Sequence, residues 1–258
     1  MRIENSIFNI QKLDSTESTN KYCEALDLGE VGDFTCYWAL EQMAGIGQRG
    51  NCWHSAPGQN LTFSLVLHPS FLPADRQFGL TQALALAVCD LLEIQNSKSK
   101  IHIKWPNDIY AAGGKICGTL VSTRLQGGRI GSAVCGIGLN VNEVDFPAWV
   151  PNPTSLRLLT GECHELEPLL RQLLECIERR YGDLRAGADL QEEYLSRLLN
   201  LGVEARYRYG DEQLRATITG VDPHGRLMLT AADGRWLVCG MKEIALCQGN
   251  TRETSGER

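Results

Sequence analysis

The stretch KICGTLVSTRLQGGRIGSAVCGIGLNVN (115–142) constrains the fold of this chain most. Two apolar runs flank QGGR, and such a pairing around a Gly-Gly step reads as a β-hairpin. Glycines inside the second run, in CGIGLNVN (135–142), mark close approach by a ligand or by other backbone. Asn140 and Asn142 then sit at the strand end.

Other elements arrange themselves around this hairpin. DSTESTNKYCEALDLGE (14–30) reads as a helix start, with Ser18 or Thr19 as cap, Tyr22, Ala25 and Leu26 at helical spacing, and Gly29 closing it. FTCYWALEQ (34–42) and NLTFSLVLH (60–68) read as strands, the second alternating Leu61, Phe63, Leu65, Leu67. RQFGLTQALALAVCDLLEIQ (76–95) reads as a helix apolar on most faces, hence buried. IHIKW (101–105) is a short strand stopped by Pro106, and PNPTSL (151–156) is a loop. From about Pro168 to Leu184, Leu169, Leu170, Leu173, Leu174, Ile177, Tyr181 and Leu184 fall on one helical stripe. After about residue 200, short runs separated by GD, DPHG and ADG give a meander of four or five strands, the pattern of a small SH3-like barrel. The expected organisation is a domain over 1–199, a barrel over 200–248 and a disordered polar tail over 249–258.

Composition narrows the classes of function. A net charge of −6 over 258 residues gives no electrostatic footprint for DNA or RNA. The ten cysteines are scattered singly, with no C-x-x-C, and most lie in apolar runs as small hydrophobes. That argues against a disulfide scaffold or zinc knuckle and for reduced thiols in the cytoplasm. The polar N-terminus is not a signal peptide, and no run of 18 apolar residues offers a membrane span.

Three stretches carry candidate chemistry. In EQMAGIGQRGNCW (41–53), Gly45, Gly47 and Gly50 let backbone N–H groups approach an anion, or simply make a flexible connection between strands. The loop is neither a P-loop nor a Rossmann turn, because it leads into a strand. In KWPNDIYAAGGKICG (104–118), Pro106, Asn107 and Asp108 are turn residues, while Lys115 opens an apolar strand. Lys115 is either a charge aimed at a phosphate or carboxylate or a lysine that snorkels to solvent. STN (18–20) is an N-cap whose N–H groups also face an incoming polar ligand.

Taken in order and spacing, STN (18–20), EQMAGIGQRGNCWHSAPGQNLTFSL (41–65), KWPNDIY (104–110) with Lys115 and Gly118, GIGLNVN (136–142) and PTSL (153–156) resemble the biotin protein ligase family. The resemblance spans nearly the whole chain. It implies an α+β fold, a mixed β-sheet with packed helices akin to class II aminoacyl-tRNA synthetases, plus the small SH3-like barrel. It implies formation of biotinyl-5′-AMP from biotin and ATP with Mg²⁺, and transfer of biotin to a lysine of a carboxylase carrier domain. The family's biotin contacts map onto Ser18, Thr19, Asn20, Gln42, Gly45, Gly47, Lys115 and Gly118. Adenylate contacts map onto Gln48, Arg49, Trp53, Lys104, Asn107, Asp108 and Asn140, with Lys115 and Arg49 as the catalytic pair. No metal is expected on protein side chains alone. A homodimer is among the implied partners, DNA and membranes are not.

Two departures qualify this picture. The family's loop commonly reads G-R-G-R/Q-R-G, whereas Ile46 and Gln48 stand here and leave Arg49 as the charge. STN begins 17 residues in, which leaves no room for an N-terminal DNA-binding domain and points to a monofunctional ligase. The rival readings are a lipoate or octanoate protein ligase, whose RRxxGGGxVxH stretch is absent, and a non-catalytic relative that binds biotin.

Overall fold

The computed structural model describes residues 7–247, apart from Ser97, Lys242 and the side chain of Arg49. The expected tail over 249–258 lies outside the described residues. The chain divides after Leu199 into two compact units.

The first unit is built on a seven-stranded mixed sheet. Its strands are β1 (Asn9–Thr16), β2 (Thr35–Gln42), β3 (Leu61–Leu67), β4 (Ile101–Lys104), β5 (Asp108–Ala111), β6 (Gly114–Gln126) and β7 (Arg129–Leu139). They lie in the order β1-β2-β3-β7-β6-β5-β4. Only β1 and β2 run parallel, and every other neighbouring pair is antiparallel. The β6–β7 hairpin pairs from Cys117↔Leu139 out to Gln126↔Arg129. Its turn residues, Gly127 and Gly128, have φ of 57° and 77°, as a two-residue turn matched to strand twist requires.

Helices cover the sheet. The short α1 (Thr19–Glu24) packs on β2, β3 and β7. The long α2 (Phe78–Gln95) packs on β4, β5 and β6 and against α4 (Leu166–Arg185). Fourteen of the eighteen residues of α2 are buried, which is why it lacks a polar stripe. Each fully buried leucine there, such as Leu84 or Leu91, contributes about 1.5–3 kcal/mol. By contrast α4 is amphipathic and buries Leu169, Leu170, Leu173, Leu174, Ile177 and Tyr181 against its neighbours. Gly79 lets the two helices approach, since a Cβ there would sit 3.0 Å from Leu184 Cδ1. Between them Arg180 forks onto Asp90 at 2.7 and 2.8 Å and onto Glu193 of α5 (Gln191–Ser196). Burial opposes ionisation of Asp90, but hydrogen bonds from Arg180 and Arg179 overcome it and hold its carboxyl below the ordinary value. The helix α3 (Leu156–Thr160) is short; the Ser155 hydroxyl caps it by accepting from Leu158 N–H.

The helix expected to run from residue 18 to Gly29 stops at Glu24. Asp27 supplies the reason: its carboxylate accepts the Gly29 N–H at 3.0 Å, a local bond that competes with helix continuation.

The second unit is a five-stranded antiparallel sheet, from β8 (Glu204–Tyr209), β9 (Glu212–Val221), β10 (Leu227–Ala231), β11 (Trp236–Cys239) and β12 (Ile244–Leu246). Its order is β11-β10-β9-β8-β12. Alternation along β9 and β10 buries Leu214, Ala216, Ile218, Leu227 and Leu229 on one side. A mixed sheet with packed helices and a small all-β unit is the fold class that the resemblance implies.

Candidate active site

The start of α1 and the end of β2 are zipped together: Met43 N–H bonds Thr16 O and Ala44 N–H bonds Glu17 O, each at 2.9 Å. This places Ser18, Thr19, Asn20 and Gln42 in one cluster. Ser18, Thr19 and Asn20 are buried, as is Ser64 of β3. Thr19 gives both its backbone N–H (2.8 Å) and its hydroxyl (3.1 Å) to Gln42 Oε1. Of the two ends of an amide side chain only the oxygen accepts a backbone N–H, so the Gln42 amide is oriented and its nitrogen faces outward from that pair. Asn20 Nδ2 donates to Leu120 O at 3.3 Å, and Ser64 Oγ lies 2.7 Å from Asn20 Oδ1 and 2.8 Å from Thr19 Oγ1. One hydroxyl proton thus serves two acceptor oxygens, which leaves acceptor capacity over. A side chain at Gly136 would overlap the Asn20 amide, so this glycine makes room for a side chain of the same protein.

Two residues further along β7, about 7 Å away, lies the second cluster. The Trp53 indole rests on the cross-strand pair Gly118↔Gly138. A Cβ at Gly138 would overlap the ring, and one at Gly118 would sit 3.1 Å from it. Lys115 Nζ is 2.7 Å from Asp108 Oδ1 and 5.5 Å from the centre of a Trp53 ring. Lys115 is held at its backbone as well: its N–H bonds Asn152 O and its carbonyl accepts Thr154 N–H. Trp53 Nε1 and Asn140 Oδ1 are buried and have no hydrogen-bond partner among the described residues. The Asn140 amide nitrogen is committed to Thr154 O at 2.9 Å. Lone buried polar atoms are costly unless a ligand or water meets them.

The glycine loop connects the clusters and is itself folded. Trp53 N–H bonds Gly45 O at 2.9 Å, Gly47 N–H bonds Asn51 O at 2.7 Å, and Ile46 and Cys52 form a bridge between them. Gln48–Gly50 makes a single 3₁₀ turn at the tip, with Gly50 at φ 79°. Here the backbone requires glycine. The Arg49 side chain lies outside the described residues.

Lys104 and Asn107 have partners on the neighbouring strands β5 and β6. Lys104 Nζ lies 3.4 Å from Tyr110 OH and over that ring. Asn107 donates its side-chain amide to the Thr119 carbonyl, and its backbone carbonyl accepts the Thr119 N–H at 3.1 Å. The KWPND turn is held from beneath by α5, where the buried Tyr194 donates its hydroxyl to Pro106 O at 2.9 Å. Ser64, Gly136 and Gly138 lie inside the stretches that carry the resemblance, without a role assigned to each by sequence, and Tyr194 lies outside them. A cavity of about 460 Å³ beside Leu28, His68, Arg124 and Ser132 contains none of the residues read from the sequence as the site.

Comparison with known proteins accords with this geometry. The model of the biotin/lipoate A/B protein ligase family matches residues 13–140. The biotin–[acetyl-CoA-carboxylase] ligase of Paracoccus denitrificans is 32% identical over 235 residues, covering 88% of this chain and 96% of that protein. The bifunctional ligase/repressor of Bacillus subtilis is 31% identical over 226 residues, covering 86% of this chain and 69% of that one. Among solved structures, a biotin protein ligase from Aquifex aeolicus in complex with biotin and ATP superposes with a TM-score of 0.76 at 24% identity, over 93% of this chain and 99% of that one. With a mixed sheet that carries the STN, KWPND and GIGLNVN segments and a relative matched along nearly its whole length, the chain belongs to the biotin protein ligase family.

Proposed function

We propose that this protein joins biotin to ATP, releasing pyrophosphate and forming biotinyl-5′-AMP, and then transfers biotin to a lysine of a biotin carboxyl carrier domain. The first unit is the catalytic one in this reading. One observation carries it: the buried cluster at the start of α1 offers oriented donors and spare acceptors together. The Gln42 amide nitrogen and the Ser18 hydroxyl are donors, and Thr19 Oγ1 and Asn20 Oδ1 are acceptors. A cyclic urea presents one carbonyl and two N–H groups and satisfies such a set. A dithiolane or an alkyl chain presents neither and would leave these groups unpaired, which argues against lipoate and octanoate.

From that cluster a valeryl tail of biotin runs along β7 toward Lys115. There its carboxylate oxygen attacks the α-phosphorus and the bond to pyrophosphate breaks. Both partners are anionic, so a fixed cation between them lowers the barrier; Lys115 has that position. In the ligand-free protein Asp108 neutralises this lysine. The second step moves the acyl group to the carrier lysine, whose amine displaces AMP. Asn140 Oδ1, buried and without a partner among the described residues, suits an exocyclic amino group such as adenine's. Arg49 and Gln48 on the loop, and Lys104 beside Tyr110, complete the adenylate side of the reading. When bound with the triphosphate, Mg²⁺ would supply charge neutralisation there; the Asp108 carboxylate, a hard oxygen donor beside Lys115, is the side chain that would meet it. Free, dispersed thiols accord with a cytoplasmic setting.

The test is a transfer assay with ATP, Mg²⁺, biotin and an apo carrier domain, reading carrier mass and pyrophosphate. Biotinylated carrier is expected, lost in Lys115→Ala and not replaced by lipoylation when lipoate competes. Lipoylated carrier, or biotin binding without pyrophosphate, would overturn the reading in favour of one of its rivals.

A further inference from the structure

Glu143 follows the end of β7 and is 4% exposed, yet it is a carboxylate. Three donors converge on it: His54 Nε2 at 2.7 Å, the Ala56 N–H at 3.1 Å and the Asn60 amide. Asn60 returns the connection, since its own carbonyl oxygen accepts the Val141 N–H at 2.8 Å. Asn142 N–H bonds Gln59 O at 2.8 Å. Residues 54–60 are thereby laced to residues 141–143 around one buried acid. The His54 ring also meets Trp149 edge-on at 5.7 Å.

The place of this lacing matters more than its strength. Residues 54–60 are the return stem of the glycine loop, and His54 directly follows Trp53. The outgoing stem is already fixed, through Met43 and Ala44, to residues 16 and 17. Between the two stems the loop holds itself with few backbone hydrogen bonds, from Trp53 to Gly45, Gly47 to Asn51 and Asn51 to Gln48. A buried carboxylate is costly unless its donors are all present, so removing one donor from Glu143 loosens the return stem in particular. We propose that Glu143 and His54 form a latch that fixes the return stem, seats Trp53 on Gly118 and Gly138, and so keeps the loop folded over the adenylate. They are positioning residues: they act through Trp53 and the loop. The retention part of this inference rests on the ligase reading of the site; the latch itself does not.

The test uses the full chain and the variants Glu143→Gln, His54→Ala and His54→Gln. Hydrogen–deuterium exchange of the ligand-free protein reads the latch directly. Peptides over 45–60 should exchange roughly ten-fold faster in Glu143→Gln and His54→Ala, as loss of a charge-assisted hydrogen bond predicts. Peptides of α2 should stay at the wild-type rate. His54→Gln, whose amide donates to the same carboxylate, should recover most of the protection. His54 is 25% exposed, so its variants remain informative where Glu143→Gln does not fold. In the transfer assay, pyrophosphate released per carrier biotinylated should rise several-fold in the two loosened variants, with biotin affinity unchanged. Unchanged exchange over 45–60, or equal acceleration in α2, overturns the latch. Faster loop exchange with an unchanged ratio overturns its role in adenylate retention. A wild type that makes neither pyrophosphate nor biotinylated carrier removes the ligase reading, and the exchange result then decides the latch by itself.

Discussion

The β6–β7 hairpin carries two kinds of glycine pair. At its tip, Gly127 and Gly128 have positive φ, and nothing lies within 4 Å of a Cβ placed on either. At its base, Gly118 and Gly138 face each other across the strands with φ outside the left-handed region, and a Cβ would meet the Trp53 ring. Gly136 belongs with the second kind, for its missing Cβ houses the Asn20 amide. The tip needs glycine for the path of the backbone, and the base needs it for space. Only the second requirement marks a site, because only there does the absence of a side chain admit another functional group.

Substitutions that add one methyl group separate the two cases. Gly138→Ala should have the largest effect: it drives Trp53 from its seat, and a misplacement of about 1 Å near reacting groups costs about 100-fold in rate. Pyrophosphate release under saturating biotin would show it, against a stability loss of about 1–3 kcal/mol from overpacking. Gly136→Ala should displace Asn20 and weaken biotin binding about ten-fold, the worth of one good hydrogen bond, as calorimetric titration would detect. Gly128→Ala should do the reverse. It costs about 1–2 kcal/mol in urea denaturation through its left-handed backbone, while biotin affinity and turnover stay at wild-type levels. The smallest effect is a gain. Ala112 has φ 47° in the β5–β6 turn, and Ala112→Asn, which tolerates that region, should add about 0.5 kcal/mol. Were Gly128→Ala to abolish turnover, or Gly138→Ala to spare it, the distinction between tip and base would collapse.

Much of this was legible in the chain because turn chemistry and periodicity are local. QGGR announced the hairpin tip, the stripe of leucines announced α4, and the unbroken apolar run announced a helix buried nearly all round. The edge strand β1 carries no such local signal, since in NIQKLDST only Ile10, Leu13 and Thr16 are half-buried, too sparse a pattern for period two. In β3 the leucines at alternate positions suggested one buried face, whereas all seven residues are buried. Thr62 and Ser64 turn to the other side, and α1 covers Ser64. Two hydroxyls alternating with leucines were the available signal for a polar cluster under a second layer. Glu143 had no such signal: its partners His54 and Asn60 are more than eighty residues away, and only the fold brings them together.

The distribution of thiols gives the molecule an unplanned convenience. Burial pushes the thiols of Cys23, Cys89 and Cys135 up to about 12, and those of Cys36 and Cys117 higher still. At neutral pH these remain protonated and shielded, and thiolate-seeking reagents pass them by. Cys52 and Cys163 are the exposed ones, and Cys52 stands on the glycine loop, opposite Ile46. A maleimide dye at Cys52, with Cys163 replaced by serine, would let the opening and closing of that loop be watched in real time on the otherwise native chain.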